Sequence, residues 1–286
     1  MYRKAFSRVT RVLLGGTVGA GLLAVATSGE PSRLRAQSFI PSLLRVLAYS
    51  APATDVSKHR VTPWNFNWDG RDVVSSTDST SSGDSSHSPQ RPKCSRHIIF
   101  VRHGQYHYAA DDSDCHLTKL GREQTDYTGQ RLKQLGLPYS RIIYSTMTRA
   151  VESTEEIIKH LPNVPAVPCD LLREGAPFPP QPPVPNWPQS EDDFTKDGPR
   201  IEAAFNYYMH RADPNQEKDS YEVLVCHANV IRYFVCRSLQ LPPEAWIRMT
   251  LDHGSLTWIT IRPSGTVSLR WLGNSGYMPP DKLSVQ

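Results

Sequence analysis

The sequence is poor in cysteine and has no pair spaced as C-x-x-C. Its five cysteines, Cys94, Cys115, Cys169, Cys226 and Cys236, make an odd number, which fits neither a disulfide framework nor a zinc site. Cys226 and Cys236 stand in apolar runs, where a thiol packs as a small hydrophobic side chain. We therefore expect no metal site, and a compartment that is reducing or in which the thiols are incidental.

The chain also lacks a strong charge of one sign and any visible internal repeat. Its net charge is +4 at pH 7, and it has no long basic run interleaved with aromatic residues, so we expect no binding to nucleic acid. The positive charge is concentrated at the start of the chain. Residues 1–54 contain seven Lys or Arg and a single acid, Glu30.

One apolar stretch, residues 12–29, follows the first basic residues. At about 1.5 Å of rise per residue, a helix of this length just crosses the core of a bilayer. Residues 1–30 are therefore predicted to be a targeting or transmembrane segment. A secretory signal peptide fits the basic start and the small residues Ala24-Val25-Ala26. A mitochondrial address followed by a single membrane anchor fits the Arg-rich, acid-poor composition equally well.

Residues 31–92 are predicted to form a flexible linker. Residues 75–92 are rich in Ser, Thr and Gly and cannot bury enough apolar surface to fold. An aromatic motif, WNFNWD at residues 64–69, stands among polar residues within this linker. The part before the motif is interrupted by four prolines, Pro31, Pro41, Pro52 and Pro63.

Residues 93–286 are predicted to form one folded domain. Apolar runs and hydrophobic periodicity predict strands at 97–101, 141–144, 222–226, 255–261 and 266–272. They predict helices at 120–135, 148–161, 201–211 and 230–239, the first capped by Thr118 and ended by Gly136. Strands that alternate with helices predict an α/β fold, a three-layer α/β/α sandwich around a mainly parallel sheet.

Polar residues follow three of the predicted strands. Arg102-His103-Gly104 follows the first strand, a run ending in Arg149 follows the second, and His227 follows a later one. Ligands of parallel sheets bind beyond the carboxyl ends of the strands. We therefore expect Arg102, His103, Arg149 and His227 to converge on one pocket.

This set of residues suits phosphoryl transfer through a covalent intermediate. A neutral imidazole, His103, can attack phosphorus and form a phosphohistidine that water hydrolyses. The guanidinium groups of Arg102 and Arg149 match the phosphoryl oxygens, and His227 adds a further donor. A leaving alkoxide must be protonated, and Glu174 is the best placed acid.

Each of these residues alone also has an ordinary structural explanation. A histidine at a strand end is usually a satisfied structural residue, and single arginines and glutamates are usually solvated surface charges. Three strand ends that carry matching groups, together with an acid in the right order, are improbable by chance.

The sequence resembles the histidine phosphatase (phosphoglycerate mutase-like) superfamily. The motifs that carry the resemblance are RHG at 102–104, LTKLGREQ at 117–124, STMTRA at 145–150, REG at 173–175 and CHANVIR at 226–232. Residues 171–177, 200–203, 210–212 and 276–281 resemble the mitochondrial serine/threonine-protein phosphatases within it. The resemblance implies a phosphoglycerate mutase-like fold and no metal or other cofactor. It implies His103 as nucleophile, Arg102, Arg149 and His227 as phosphate pocket, and Glu174 as proton donor.

The resemblance extends to the N-terminal part of the chain. It implies an anchor in a mitochondrial membrane and a link to mitochondrial quality control and cell-death signalling. Proteins of this type also carry a W-D-x-N-W-D motif that joins phosphatase domains into dimers and higher multimers. Here Trp64, Asn67, Trp68 and Asp69 match that motif, whereas Asn65 stands where an acid is expected. The alternative is that the motif packs against its own domain.

The sequence leaves three functions open. The first is a protein phosphatase that acts on phosphoserine and phosphothreonine. The second is a small-molecule phosphatase or mutase of the same fold, which is disfavoured because the set of pocket residues offers no obvious additional Lys or Arg. The third is an interaction scaffold whose catalysis is secondary, as the aromatic motif and the linker indicate.

Overall fold

The computed structural model describes residues 62–72, 91–185 and 190–285. The predicted targeting or transmembrane segment at 1–30 and most of the predicted linker lie outside the described residues. Within the described ranges, no helix has both the length and the apolar character needed to cross a membrane.

A six-stranded mixed sheet forms the centre of the described domain, in the order β3-β2-β4-β1-β5-β6. Its strands are β1 (Arg96–Arg102), β2 (Tyr139–Ser145), β3 (Ala166–Cys169), β4 (Ser220–Cys226), β5 (Leu256–Ile261) and β6 (Val267–Asn274). The first four run parallel, β5 pairs with β1 in the antiparallel direction, and β6 pairs antiparallel with β5. All residues of β1 are buried, as expected for a strand covered on both faces.

Helices cover both faces of this sheet. The long helices are α1 (Lys119–Leu135), α2 (Thr148–Ile158), α3 (Glu191–Tyr208) and α4 (Ala228–Ser238). Side chains of one sheet face, including Ile98, pack with those of α3 and α4. Those of the other face, including Ile99, pack with Leu132 of α1 and Ile157 of α2. The predicted three-layer α/β/α sandwich is confirmed.

The ends of α1 follow the predicted chemistry. The hydroxyl of Thr118 accepts a hydrogen bond from the N–H of Gly121 at 3.0 Å, which caps the first turn. Gly136 ends the helix with φ of 60°, a left-handed conformation that favours glycine. The Thr118 cap also joins the start of α1 to the loop after His103, because the N–H of Thr118 donates to the carbonyl of Gln105 at 2.9 Å.

Two elements differ from the prediction. Helix α3 begins at Glu191 and ends at Tyr208, not at 201 and 211, and contains Pro199. The predicted start lies after this proline, but a capping box between Ser190 and Asp193 already begins the helix nearly three turns earlier. The short strand β3 was not predicted, since it lies at the sheet edge, is mostly exposed and contains Pro168.

The aromatic motif at 64–69 packs against the folded domain of its own chain. The indole N–H groups of Trp64 and Trp68 both donate to the carbonyl of Gly265, at 3.2 and 2.8 Å. The ring of Trp68 also lies 6.0 Å from that of Phe205 on α3. The structure thus has the arrangement considered above as the alternative, in which the motif packs against its own domain.

Asp69 provides the charged contact of this segment. Its carboxylate pairs with the guanidinium of Arg211 at 2.5 Å and accepts the backbone N–H of Arg211 at 2.8 Å. The side chain of Asn67 accepts from the same guanidinium at 3.2 Å. Burial tends to raise the pKa of Asp69, but the hydrogen bonds and charge of Arg211 outweigh it and hold that pKa below its usual value.

Asn65, the departure from the expected motif, keeps a local role. Its side-chain oxygen accepts the N–H of Asn67 at 2.9 Å, and an aspartate would accept the same bond. Its backbone N–H donates to the side chain of Gln240 at 2.9 Å. The buried ion pair of the motif therefore belongs to Asp69, and no ion pair of the described residues involves position 65.

Candidate active site

His103 follows the last residue of β1 and is held by backbone hydrogen bonds. Its N–H donates to the carbonyl of Cys226 at 3.0 Å, and its carbonyl accepts from the N–H of Gly254 at 3.1 Å. The residue is 2% exposed, and its Nδ1 lies 2.8 Å from the carbonyl oxygen of Gly104. Because a carbonyl oxygen only accepts, we assign the ring proton to Nδ1, which leaves a lone pair on Nε2.

Arg149, in the first turn of α2, brings its guanidinium to the Nε2 side of His103. The Nε of Arg149 lies 3.3 Å from that Nε2. The guanidinium lies over the ring of Tyr106 at 4.8 Å and pairs with Asp112 at 3.3 Å. These contacts fix a planar fork of donors beside the nitrogen that would attack phosphorus.

Arg102, the last residue of β1, is held by two of its three nitrogens. Nη1 donates to the carbonyl of Leu251 at 2.5 Å, and Nη2 lies 3.1 Å from Nε2 of His253. Its Nε is buried and has no partner among the described residues. A buried guanidinium whose Nε–H has no partner can donate to an anionic ligand.

His227 follows β4, and its ring centre lies 5.1 Å from that of His103. Its Nε2 lies 2.7 Å from the hydroxyl of Ser145, which also accepts the N–H of Met147 at 3.3 Å. We therefore assign the hydroxyl proton to the bond with Nε2 and the ring proton to Nδ1. That Nδ1 is buried and has no partner in the described part of the chain, so it is a donor available to a phosphoryl oxygen.

Glu174 lies in the loop between β3 and α3. Its carboxyl accepts from the backbone N–H of Gly175 at 3.2 Å and from that of Asn229 in the first turn of α4. Because Asn229 is two residues beyond His227, these bonds hold the acid at the same edge of the sheet. Burial raises the pKa of Glu174, although Arg149 and a backbone hydrogen bond oppose the rise. The carboxyl thus keeps its proton to a higher pH than an exposed glutamate does.

The pKa values of the pocket imidazoles are lowered, in contrast to that of Glu174. Burial lowers the pKa of His103 well below its usual value, and the charge of Arg149 adds to this effect. Burial and Arg149 do the same for His227. Burial and Arg102 lower the pKa of His253 to about 3. All three rings are neutral at physiological pH, and the positive charge of the pocket resides on guanidinium groups.

The structure brings together all five residues that the sequence analysis singled out for the pocket. Strand β4 lies between β1 and β2, so the ends that carry Arg102, Arg149 and His227 adjoin one another. Glu174 comes from a separate loop at the same edge. Among the residues described, no group of three or more His, Cys, Asp or Glu side chains is arranged to hold a metal ion.

Comparison with known proteins shows to which protein family the chain belongs. A family model described as "Histidine phosphatase superfamily (branch 1)" matches residues 98–176 and 180–273. The Xenopus laevis protein named "Serine/threonine-protein phosphatase PGAM5, mitochondrial" is 48% identical over 284 residues, which cover 96% of this chain and 97% of that protein. The chain belongs to the histidine phosphatase superfamily.

Solved structures are similar to this histidine phosphatase as well. A phosphoglycerate mutase from Plasmodium falciparum is 33% identical with a TM-score of 0.47, over 66% of this chain and 96% of that one. A protein titled "Mycobacterial hydrolase 1" is 19% identical with a TM-score of 0.50, over 63% and 99%. The latter likeness concerns the fold alone and agrees with the α/β architecture described above.

His253 is a residue of the histidine phosphatase pocket that the sequence analysis missed. Its ring centre lies 5.7 Å from that of His103, and its Nδ1 lies 2.9 Å from the hydroxyl of Ser284. With Nδ1 protonated, its Nε2 accepts the hydrogen bond from Arg102. The position of His253 just before β5 could have indicated its role. Since β5 runs antiparallel to β1, the residues before β5 lie beside the carboxyl end of β1.

Arg173 is a further cation at this site. Its guanidinium donates to the hydroxyl of Thr146 at 3.1 Å and pairs with Asp112 at 3.5 Å. It also contributes to lowering the pKa of His227, after burial and the charges of Arg149 and Arg102. The expectation that no further Lys or Arg accompanies the pocket is therefore wrong, and it no longer argues against a mutase.

Proposed function

We propose that this chain is a phosphatase that removes phosphate from phosphoserine and phosphothreonine in proteins through a phosphohistidine on His103. The observation that carries the proposal is a buried, neutral imidazole whose unprotonated Nε2 accepts a hydrogen bond from the guanidinium of Arg149 at 3.3 Å. The name of the Xenopus laevis relative, a serine/threonine-protein phosphatase, supports the substrate class.

In the first step, the lone pair of Nε2 forms a bond to phosphorus as the bond from phosphorus to the serine or threonine oxygen breaks. Arg102, Arg149 and the Nδ1–H of His227 donate to the phosphoryl oxygens. Glu174, protonated because its pKa is raised by burial, gives its proton to the departing oxygen. The carbonyl of Gly104 accepts from Nδ1–H and stabilises the positive charge that develops on the nucleophile ring.

In the second step, water attacks the phosphohistidine. Glu174, now a carboxylate, accepts a proton from that water, the reverse of its first role. The bond between phosphorus and Nε2 breaks, the electron pair returns to the ring of His103, and inorganic phosphate leaves. Both steps use the same cationic pocket.

Two alternatives are separated from this proposal by simple observations. A small-molecule phosphatase or mutase shares the nucleophile, and Arg173 beside Asp112 provides a second cation that a substrate carboxylate could use. Turnover of 3-phosphoglycerate in preference to phosphopeptides favours that alternative. An interaction scaffold predicts that cellular effects, including quality control and cell-death signalling, persist when His103 is replaced.

The test of the proposal is the covalent intermediate. We expect wild-type protein quenched during turnover of a phosphoserine peptide to carry base-stable, acid-labile phosphate on His103. The substitution His103→Ala should abolish both this phosphate and turnover. The control is His160→Ala, which removes an imidazole that pairs with Asp126 beyond the far end of α2. Turnover or phosphoenzyme in His103→Ala protein contradicts the proposal.

We also propose that the protein resides at a mitochondrial membrane, with a single anchor within residues 1–30. The basic, acid-poor composition of residues 1–54 supports this location, as does the word mitochondrial in the name of the Xenopus laevis relative. Residues 1–30 lie outside the described part of the chain.

Self-association through residues 64–69 is part of the same proposal. The surface that this segment occupies is the same on every copy of the chain, so exchange of segments between copies joins them without any new type of contact. The contacts exchanged are those of Trp64 and Trp68 with Gly265 and of Asp69 with Arg211. Dimers and higher multimers follow from such exchange.

A further inference from the structure

The loop that carries Glu174 is held by one side chain of α3. The guanidinium of Arg200 donates to the backbone carbonyls of Leu171 and Arg173, at 3.0 and 2.7 Å, and to that of Glu174 itself, at 3.1 Å. These carbonyls lie outside strands and long helices, where backbone groups need partners from elsewhere. The guanidinium of Arg200 thus holds the loop through three of its backbone carbonyls.

Asp197, one turn before Arg200 on α3, completes this clamp. One carboxylate oxygen accepts from the guanidinium of Arg200 at 3.0 Å, and the other accepts the backbone N–H of Ala176 at 3.0 Å. The two α3 side chains therefore bind the loop on both sides of Glu174. The salt bridge between them keeps the guanidinium plane in a fixed orientation.

Gly175 is required for this close contact. A Cβ at position 175 would lie 2.4 Å from the carboxyl carbon of Asp197 and 2.7 Å from a terminal nitrogen of Arg200. The backbone of the loop therefore lies directly on the two side chains. On its other side, the carbonyl of Gly175 accepts from the side chain of Asn229 at 3.1 Å.

We propose that Arg200, together with Asp197, is a positioning residue for the acid step, because it holds the loop so that the carboxyl of Glu174 faces the leaving oxygen. This inference rests on the proposed function, in which Glu174 is the proton donor. Displacement of a catalytic group by about 1 Å can lower a rate on the order of 10²-fold. Loss of the clamp should therefore affect the reactions that need the acid and spare those that do not.

The test compares two leaving groups. A phosphoserine peptide leaves an alkoxide that needs protonation, whereas 4-nitrophenyl phosphate leaves a stable phenolate. We expect Arg200→Gln to lower kcat/KM for the peptide by about 10²-fold and to change that for the aryl phosphate only slightly. The ratio of the two values does not depend on how much of the protein is folded. A purely structural role of Arg200 would leave this ratio unchanged.

A double-mutant cycle with Glu174→Gln makes the test sharper. If Arg200 acts through the acid, Arg200→Gln should cause no further loss with the peptide once Glu174 is replaced. Arg200 also contributes to lowering the pKa of His227 through its charge. Arg200→Lys keeps this charge but cannot reach three carbonyls, so it should resemble Arg200→Gln. The matched control is Arg122→Gln, which removes a guanidinium that pairs with Glu152 and should leave the ratio unchanged.

The outcomes separate the two proposals. If Glu174→Gln lowers the peptide rate selectively but Arg200→Gln does not, or if the two losses are additive, the positioning role is wrong and the proposed function stands. If Arg200→Lys restores the wild-type ratio, charge and not the clamp is responsible, and the positioning role is again wrong. If Glu174→Gln affects both substrates equally, the acid assignment itself fails, and the role of Arg200 fails with it.

Discussion

The contact between Gly104 and Gly121 provides a sharp test of how the nucleophile is held. A Cβ at position 121 would lie 1.9 Å from the backbone oxygen of Gln105, and one at position 104 would lie 2.3 Å from the backbone oxygen of Gly121. The first turn of α1 and the loop after β1 therefore touch backbone to backbone. We predict that Gly121→Ala moves this loop and with it His103.

Two effects of Gly121→Ala oppose each other, and their magnitudes decide the result. Alanine favours a helix over glycine by about 1 kcal/mol. Overpacking a buried contact costs about 1–3 kcal/mol, and here the obstacle is backbone, which cannot rotate away. Ordinary contact begins near 3.4 Å, so the loop must shift by about 1.5 Å. We expect a small net loss of stability and a loss of kcat on the order of 10²-fold, because the shift moves the nucleophile.

Gly129→Ala in the same helix is the matched control. A Cβ there would lie 2.6 Å from the side chain of His160 and 3.1 Å from the backbone of Ile157, both away from the pocket. The assays are thermal unfolding and phosphopeptide turnover. Both variants should unfold at a lower temperature, and only Gly121→Ala should lose activity. Wild-type kcat in folded Gly121→Ala protein, or an equal loss in both variants, refutes the reasoning.

Two further predictions concern pH and assembly. Since Glu174 has a raised pKa and must be protonated, while His103 has a lowered pKa and must be neutral, kcat/KM for a phosphopeptide should fall as pH rises through the pKa of Glu174. A rise of kcat/KM with pH across the neutral range contradicts this assignment. Replacing Trp64 and Trp68 with Ala should shift large assemblies towards dimers and monomers in sedimentation, because both indole contacts with Gly265 are lost. An unchanged sedimentation profile refutes the exchange of segments.

The sequence was sufficient to predict the pocket because parallel strands share one edge. Arg102, Arg149 and His227 each follow a strand, and the order β2-β4-β1 makes these three strand ends neighbours. Whatever the strand order, residues at the carboxyl ends of parallel strands lie at the same edge of the sheet. Glu174 was assigned on the family resemblance and on its place just before the proline-rich stretch at 177–188, and no periodicity predicted it.

The supporting residues were not predictable in the same way. Arg200 stands directly after Pro199, which led us to place the start of α3 beyond it and so to miss the loop contact. His253 lies in a turn, and its partners Arg102 and Ser284 are distant in sequence. Such residues act through tertiary contacts between irregular segments, for which local propensity carries no signal.

Burial shifts the pKa values of His103 and Glu174 in opposite directions, for a single physical reason. Desolvation disfavours charge, so it lowers the pKa of His103 and raises that of Glu174, which leaves a neutral nucleophile and a neutral acid. The same burial lowers the pKa of Arg102 only to about 10, so its guanidinium stays charged at neutral pH. A lysine has an ordinary pKa of about 10.4, and an equal shift would bring the pKa of its ammonium group much closer to neutral pH. In a pocket dry enough to keep an imidazole unprotonated, guanidinium is therefore the side-chain cation that remains available to a phosphoryl group.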